Sequence, residues 1–273
     1  MKKSLLVLAV TAGLSTAANA WYLTPFYDFY DTDTKSNGQS VSSSVFGLEG
    51  GNELFTLGYK HKTIDFKNSK DLDALHNLYG YYHNASSLGS DLTLKYAVGA
   101  SLSYEDELED LTDSLSLLGQ ASLLYRLDGD YSIEGGMGLI YNQIRYYPYP
   151  VVQLAYRNAQ DQGLSYIVGF PKNDITYRFN DYFALNGDFT YANSSFTKLK
   201  EHNVYSDDGY LVDKYASATV SAIVTPHQSF NIEAGFGYTF DHSYKFYDHD
   251  GDYSHKVKLD PGYKTFINVN AHF

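Results

Sequence analysis

Charged side chains recur at alternate positions within apolar segments of this 273-residue chain. Successive side chains of a β-strand point to opposite faces, so charges at alternate positions would share the face opposite the apolar residues. In a sheet closed into a barrel they would line the lumen, where rings of charge select among solutes. Alternatively, they pair with each other and fill the interior. The predicted lumen-lining residues are Lys60, Lys62, Lys95, Arg126, Glu134, Arg157, Arg178, Asp188 and Glu233.

A second candidate for chemistry is the acidic segment at residues 248–252. Asp248, Asp250 and Asp252 stand at alternate positions, a spacing that can wrap carboxylate oxygens around calcium. The match is partial, because Tyr253 stands where the turn of a calcium loop needs glycine and Leu259 where a bidentate Glu belongs. The segment is therefore interpreted either as a Ca²⁺ site or as a solvated acidic loop tip. No other metal or cofactor is predicted.

Hydrolytic chemistry is the third possibility that the residue types raise. Asp241, His242 and Ser243 are the types that a serine hydrolase uses. Neighbours in sequence point to opposite faces of a regular strand, however, so Asp241 and His242 would be separated. Because no lipase or protease signature surrounds these residues, the chain is predicted not to be an enzyme.

The elements that position these residues are predicted from alternation. Apolar residues alternate with polar residues or glycine over residues 92–104, 115–127, 133–142 and 230–241. Such runs predict strands with one apolar face. Splitting residues 164–179 at Pro171, which cannot donate to a sheet ladder, keeps short and long connections alternating along the chain. The count is then about 14 strands, or about 12 if that hairpin does not span.

The last strand carries the most specific signal. Ile267, Val269, Ala271 and the terminal Phe273 share one face. This pattern resembles the closing strand and assembly signal of Gram-negative outer-membrane β-barrels, and the resemblance implies insertion by the barrel-assembly machinery. Closure matters physically, because a barrel has no unpaired edge only when its last strand meets its first.

The N-terminus and the composition agree with export. Residues 1–20 combine Lys2 and Lys3, an apolar run and small residues up to Ala20, which predicts a cleaved signal peptide and a barrel over residues 21–273. The chain has no Cys, which excludes a disulfide scaffold, and its net charge of −12 argues against a nucleic-acid partner. Its 28 Tyr residues suit aromatic girdles at the two bilayer interfaces.

The middle of the chain adds a weaker resemblance. Residues 140–191 contain Tyr-Pro-Tyr-Pro-Val-Val-Gln-Leu-Ala-Tyr-Arg and, further on, Gly-Phe-Pro-Lys-Asn-Asp. This segment resembles a family of predicted outer-membrane barrels of unknown function. The resemblance implies the fold and no particular activity.

Together these features predict an all-β, transmembrane, antiparallel up-and-down β-barrel that is monomeric and lies in the outer membrane, beside lipid and lipopolysaccharide. Short turns are expected in the periplasm and longer acidic loops outside, among them residues 198–213 and 247–261. The predicted function is a narrow channel or passive uptake pore for small solutes. The alternative is a closed structural or surface-interaction barrel that acts through its acidic loops, and an outer-leaflet lipase or protease comes third.

Overall fold

The computed structural model describes residues 21–36, 38–67, 72–127, 130–158 and 162–273, except for the side chains of residues 192 and 193. The predicted signal peptide, residues 1–20, lies outside the described residues. No helix in the described part is long and apolar enough to cross a membrane. The strands are β1 (Tyr22–Asp33), β2 (Ser40–Gly51), β3 (Phe55–Phe66), β4 (Leu72–Ser87), β5 (Leu92–Glu105), β6 (Leu115–Arg126), β7 (Tyr131–Asn142), β8 (Arg145–Tyr156), β9 (Gly163–Phe170), β10 (Lys172–Asn180), β11 (Phe183–Lys198), β12 (Tyr210–His227), β13 (Phe230–Tyr247), β14 (Tyr253–Lys258) and β15 (Gly262–His272).

Fourteen of these strands close into one antiparallel up-and-down barrel, which confirms the predicted fold class. Strands β1 to β13 pair in chain order, and β15 joins β13 to β1. Tyr22 pairs with His272 and Asp31 with Tyr263, so the last strand meets the first. The predicted strand break at Pro171 is confirmed, because β9 ends at Phe170 and β10 begins at Lys172. Closure leaves the ring without an edge strand.

The outer surface of the ring is an apolar belt. Met137 on β7 and Phe236 on β13 are 64% and 69% exposed, although each lies in the middle of its strand. Exposed tyrosines flank the belt, with the paired Tyr141 and Tyr146 at one end of β7 and β8 and Tyr131 at the other. An apolar band between aromatic girdles is the surface that a bilayer stabilises. The belt therefore identifies a transmembrane barrel.

Connections differ in length at the two ends of the ring. Short turns at residues 52–54, 88–91, 181–182 and 228–229 join strands at one end. The other end carries the longer segments at residues 34–39, 106–114, 199–209 and 248–261. Following the predicted orientation, we refer to the first end as the inner mouth and to the second as the outer mouth.

Aromatic rings inside the barrel lie over glycines of the neighbouring strand. A Cβ atom at Gly58 would lie 2.2 Å from Cζ of Tyr79, and a Cβ atom at Gly138 would lie 2.1 Å from Cζ of Tyr149. The rings therefore occupy the space that a side chain would need. The Tyr79 hydroxyl donates to Oε2 of Glu49 at 2.7 Å, so this ring connects β4, β3 and β2.

Strands β11, β12 and β13 continue beyond the ring at the outer mouth, where β14 adds to β13. These extensions lean across the mouth: Lys198 at the end of β11 forms a parallel bridge with Tyr104 at the end of β5. We call residues 194–215 and 241–258 the roof. The predicted external loop at residues 198–213 was too long, because β12 already begins at Tyr210, where it pairs with Tyr247 of β13.

A bulge in β13 changes which side chains of the roof face inward. Asp241 has a left-handed backbone with φ of 50°, and the pairing with β12 jumps from Ala216–Phe240 to Lys214–Ser243. An inserted residue shifts the period-two alternation by one position. His242 is therefore buried, whereas Asp241 is exposed.

Candidate functional site

The roof seals the outer mouth with an apolar core. Leu211, Tyr244 and Phe246 of the roof are each at most 1% exposed. They pack against side chains of β2, β3 and β4 in one cluster, which consists of Val41, Ile64, Phe66, Leu72, Leu75, Leu199, Leu211, Tyr244, Phe246 and Leu259. Burying a large apolar side chain contributes about 1.5–3 kcal/mol. This core therefore holds the roof against one side of the barrel wall.

Glu105 at the end of β5 fastens the other side of the roof. Its carboxylate accepts hydrogen bonds from Nδ2 of Asn203 at 2.9 and 2.7 Å and from the backbone N–H of Lys200 at 3.2 Å. It also accepts the backbone N–H of Asp73 at 2.9 Å. Nζ of Lys198 lies 2.8 Å from Oδ1 of Asp208 within the roof. Charge-assisted hydrogen bonds of this kind are about twice as strong as neutral ones.

A buried charge network joins the roof to β3. Nζ of Lys62 lies 2.5 Å from Oδ2 of Asp213, and Nε2 of His242 lies 2.9 Å from the other carboxylate oxygen. Burial alone would raise the pKa of Asp213, but the charges and hydrogen bonds of Lys62 and His242 hold it below its usual range. Beneath them, the hydroxyls of Tyr30 and Tyr215 are 3.0 Å apart. This network places paired polar groups in the upper lumen, where they also line a cavity.

The barrel wall has a notch beside the roof, because the hairpin of β9 and β10 is short. Strand β8 pairs with β9 only over residues 152–156, so its residues 145–151 have no strand on that side. Pro148 and Pro150 lie in this unpaired stretch, where a missing N–H removes no ladder bond. Across the gap, Nη2 of Arg145 donates to Oγ of Ser194 on β11 at 2.7 Å. A side-chain bridge thus spans the notch where backbone pairing stops.

The notch reaches down to the middle of the apolar belt. Phe170 at the tip of β9 pairs with Val152 of β8, six residues below the girdle residue Tyr146. At about 3.3 Å per residue and a strand tilt of about 40°, this distance corresponds to roughly 15 Å of height. The apolar band of such a barrel is about 25 Å tall. The notch therefore faces the half of the bilayer that adjoins the outer mouth.

A cavity of about 540 Å³ lies behind the notch. Tyr147, Phe170 and Pro171 line it at the notch, and Asp28 and Lys60 line it on the far side of the lumen. Its wall thus combines aromatic and proline side chains with Arg145 at the membrane side and carries charged side chains at the lumen side. Small-molecule sites have this mixed lining and fall in the range of about 300–1,000 Å³.

Two of the sequence-predicted residues, Lys60 and Lys62, lie on this cavity. Nζ of Lys60 is 5.9 Å from the ring centre of Phe26 and 5.0 Å from that of Tyr79. These distances allow cation–π attraction in place of an ion pair. Lys62 is instead neutralised by Asp213, so Lys60 carries the less compensated charge of the two.

Four other predicted residues form polar contacts away from the cavity. Nζ of Lys95 lies 2.7 Å from Oε2 of Glu134. Asp188 pairs with Lys172 at 3.2 Å. Glu233 accepts a hydrogen bond from Oγ of Ser221 at 2.6 Å. The Lys95–Glu134 contact reaches across β6, the other two join neighbouring strands, and all of them satisfy charges that would otherwise be costly to enclose.

The three predicted arginines lie apart from the cavity. Arg126 is the last residue of β6, and Arg178 pairs with Ala184 on β11. Arg157 follows the end of β8, where its backbone N–H donates to the carbonyl of Asp130 at 3.0 Å. The structure thus distributes the nine predicted charges over the whole barrel and brings only two of them to the cavity. Their effect on solute passage stays a prediction.

The other sequence candidates lie in or near the roof. The carboxylate of Asp248 accepts the backbone N–H of Asp252 at 2.8 Å. Asp250 is exposed, and within the described residues no group of three or more acidic, His or Cys side chains is arranged to hold a metal. Calcium binding there stays a prediction. His242 and Ser243 are both buried, and His242 is engaged by the carboxylate of Asp213.

Sequence reasoning missed Asp213 and the notch. Asp213 fell in the predicted external loop, and no local pattern connects it with Lys62, 151 positions away. The notch did have a signal: two prolines, at 148 and 150, within a strand that otherwise alternates. Proline in a strand marks an edge or a bulge, so this pair pointed to an unpaired side of β8.

Comparison with known proteins finds solved structures that resemble this chain but no sequence family. No family model matches the chain, and no curated protein matches its sequence. The COG4313 outer membrane channel from Pseudomonas putida F1 is 9% identical with a TM-score of 0.49, covering 95% of this chain and 97% of that one. The translocator domain of autotransporter NalP from Neisseria meningitidis is 13% identical with a TM-score of 0.35, covering 100% and 95%. The outer membrane protease OmpT from Escherichia coli is 10% identical with a TM-score of 0.30, covering 94% and 98%. All three are outer-membrane proteins, and their roles differ.

Proposed function

We propose that this chain is an outer-membrane channel for small solutes and that solutes reach its lumen sideways, through the notch. The cavity of about 540 Å³, which extends from the notch to the charged lumen wall beneath a sealed outer mouth, carries this proposal. The proposal includes export by the signal peptide, insertion by the barrel-assembly machinery, and a monomer surrounded by lipid and lipopolysaccharide.

The lining of the path favours amphipathic solutes. The outer rim of the notch carries the exposed Tyr146, Pro148 and Pro150, which suit contact with hydrocarbon. Lys60 and Asp28 on the lumen side suit a polar group. A strongly hydrated ion gains nothing from a gap that opens into the bilayer, because it would have to leave water to reach it. The channel is therefore expected to pass amphipathic molecules better than inorganic ions.

The test is to close the notch reversibly. The described chain has no free cysteine, so a pair introduced as Arg145→Cys with Ser194→Cys can be joined by a short bifunctional thiosulfonate reagent. Uptake of a fluorescently labelled short-chain carboxylate into proteoliposomes is then measured before and after linking. We expect linking to reduce uptake to the level of protein-free liposomes and a reducing agent to restore it.

A matched control pair lies elsewhere on the barrel. The hydroxyls of Ser44 and Thr63 are 2.8 Å apart on paired strands β2 and β3, so Ser44→Cys with Thr63→Cys accepts the same linker away from the notch. Linking this pair should leave uptake unchanged. Uptake that persists with the notch linked contradicts lateral passage. Discrete ion-conductance steps in a planar bilayer that are insensitive to the linker would establish an axial pore instead.

A closed surface-interaction barrel is the second candidate, and the sealed roof favours it. Exposed acidic residues stand beside the roof at Asp106, Glu107 and Glu109. To test this role, residues 107–109 are deleted. Binding of the parent protein and of the deletion variant to immobilised lipopolysaccharide is then measured in the presence of divalent cations. Loss of binding together with an absence of solute uptake in the parent protein would favour this candidate over the channel.

A further inference from the structure

Four cations meet at the upper flank of the notch. Lys214, Lys245 and Lys256 belong to the roof, and Arg145 begins β8. Lys245 pairs directly with Lys256 across β13 and β14, and Lys214 lies on the adjoining strand. Lys214, Lys245 and Arg145 also line the cavity. All four residues are half-buried, so their charges are only partly screened by water.

Carboxylates compensate this basic cluster only in part. Within the described residues, none of the four forms an ion pair within 4.0 Å, although the chain carries 32 acidic residues against 20 basic ones. Burial, and then the positive charges of Lys256, Lys214 and Arg145, lower the pKa of Lys245, with Asp241 acting in the opposite direction. Nε of Arg145 is buried and has no hydrogen-bond partner.

A cluster of like charges with an unpaired buried donor is energetically unfavourable unless an anion lies between the cations. Like charges directly opposite each other on paired strands are destabilising. A buried donor without an acceptor also costs free energy. An anion placed between the cations removes both costs at once, because carboxylate and phosphate oxygens accept hydrogen bonds from Lys and Arg.

We propose that this cluster binds the anionic head group, a carboxylate or a phosphate, of an amphipathic molecule whose apolar part lies along the notch. Arg145 immediately precedes the girdle residue Tyr146, so the cluster stands at the level of bilayer head groups. Directly below it, Pro148, Phe170 and Pro171 offer an apolar surface. The inference rests on the proposed lateral channel for the direction of the apolar part.

Two sources could supply this chemistry: a free amphipathic anion taken up by the channel, or the phosphate groups of lipid A in the surrounding leaflet. Binding of phenylbutyrate to the full mature chain in phosphatidylcholine nanodiscs is measured by calorimetry at low and high salt. Phenylbutanol serves as the neutral analogue and inorganic phosphate as a head group without a tail. A parallel series uses nanodiscs that contain lipid A.

We expect phenylbutyrate to bind more tightly than phenylbutanol and to weaken by about tenfold for each of Lys245→Gln and Lys256→Gln, the loss of one charge-assisted contact. Lys67→Gln removes an exposed cation elsewhere at the outer mouth and should change nothing. If phenylbutyrate binds in phosphatidylcholine nanodiscs but not in nanodiscs that contain lipid A, the site is assigned to lipid A phosphate. Persistent binding assigns it to a free anion.

Either assignment supports an anion site at the notch. Two results would overturn the anion site. The first is that wild type and the Lys245→Gln/Lys256→Gln variant bind phenylbutyrate with equal affinity. The second is that phenylbutyrate and phenylbutanol bind with equal affinity. The binding measurement involves no transport step. A lysine-dependent affinity combined with uptake that is indifferent to notch linking would therefore refute lateral passage and leave the anion site standing.

Discussion

Replacing Lys62 with methionine should release the roof. Lys62 belongs to the barrel wall on β3, whereas its partner Asp213 belongs to the roof. The Asp213 side chain is only 4% exposed, so water does not replace the lost ammonium group. Methionine preserves most of the apolar stem of the lysine and removes its charge. The substitution therefore leaves a buried carboxylate with His242 as its remaining hydrogen-bond partner.

The size of the effect follows from this burial. Breaking a buried ion pair from one side costs about 3–5 kcal/mol, because an uncompensated charge stays behind. The hydrogen bond between His242 and the Asp213 carboxylate remains, so we expect the lower end of this range, about 3 kcal/mol. Because the pair bridges wall and roof, this cost acts on the closed state of the roof. At about 1.4 kcal/mol per tenfold change, the ratio of open to closed roof should rise by about a hundredfold.

Two assays report the open roof. Trypsin should cut at the roof lysines, Lys198 and Lys200 among them, about a hundredfold faster in the variant, since cleavage follows the open population when closing is fast. Planar-bilayer recordings should gain discrete conductance steps as the outer mouth opens. Adding Asp213→Leu to the variant removes the stranded charge and should restore slow cleavage.

Lys95→Met is the matched control. It breaks an ion pair of similar length with Glu134, but the Lys95 side chain is 44% exposed and the pair lies away from the roof. The Glu134 side chain is only 8% exposed, but this pair joins two strands of the barrel wall and none of the roof, so its loss does not act on roof closure and roof cleavage should stay at the wild-type rate. Wild-type cleavage and conductance in Lys62→Met, or equal effects of both substitutions, would refute the reasoning.

Four further predictions concern assembly, packing, pH and calcium. Deleting Phe273 should impair insertion, measured as protein recovered in the outer-membrane fraction; normal recovery would reject the assembly signal. Gly58→Val forces an aromatic ring away from its strand and should lower the free energy of unfolding by about 1–3 kcal/mol in urea titrations. Gly135→Val, where a Cβ atom meets nothing within 4 Å, should have little effect, and similar losses in both would count against the packing argument. The lowered pKa of Asp213 means that its contribution to roof closure is complete above about pH 4 and is lost as the pH falls further, so conductance should stay low at neutral pH and rise only in acid. If residues 248–252 bind calcium, Asp250→Asn should weaken Ca²⁺ binding in calorimetry, and identical isotherms would leave a solvated loop.

The sequence by itself determined the barrel. Alternation with period two follows from strand geometry alone, so it revealed which residues face the membrane, and the break at Pro171 completed the strand count. The alternating pattern that ends at Phe273 predicted closure, and the structure pairs that strand with β1. These signals are local, because each depends on neighbours within a single strand or turn.

Only the tertiary structure decided what the barrel encloses. The left-handed backbone at Asp241 shifts the alternation of β13, and local sequence does not show whether a bulge forms there. Asp213 looked like a solvated loop residue, yet the lean of the roof carries it to Lys62. The notch likewise depends on how far the hairpin of β9 and β10 rises between its neighbours. Contacts between distant segments depend on register and closure of the whole ring, which no single strand encodes.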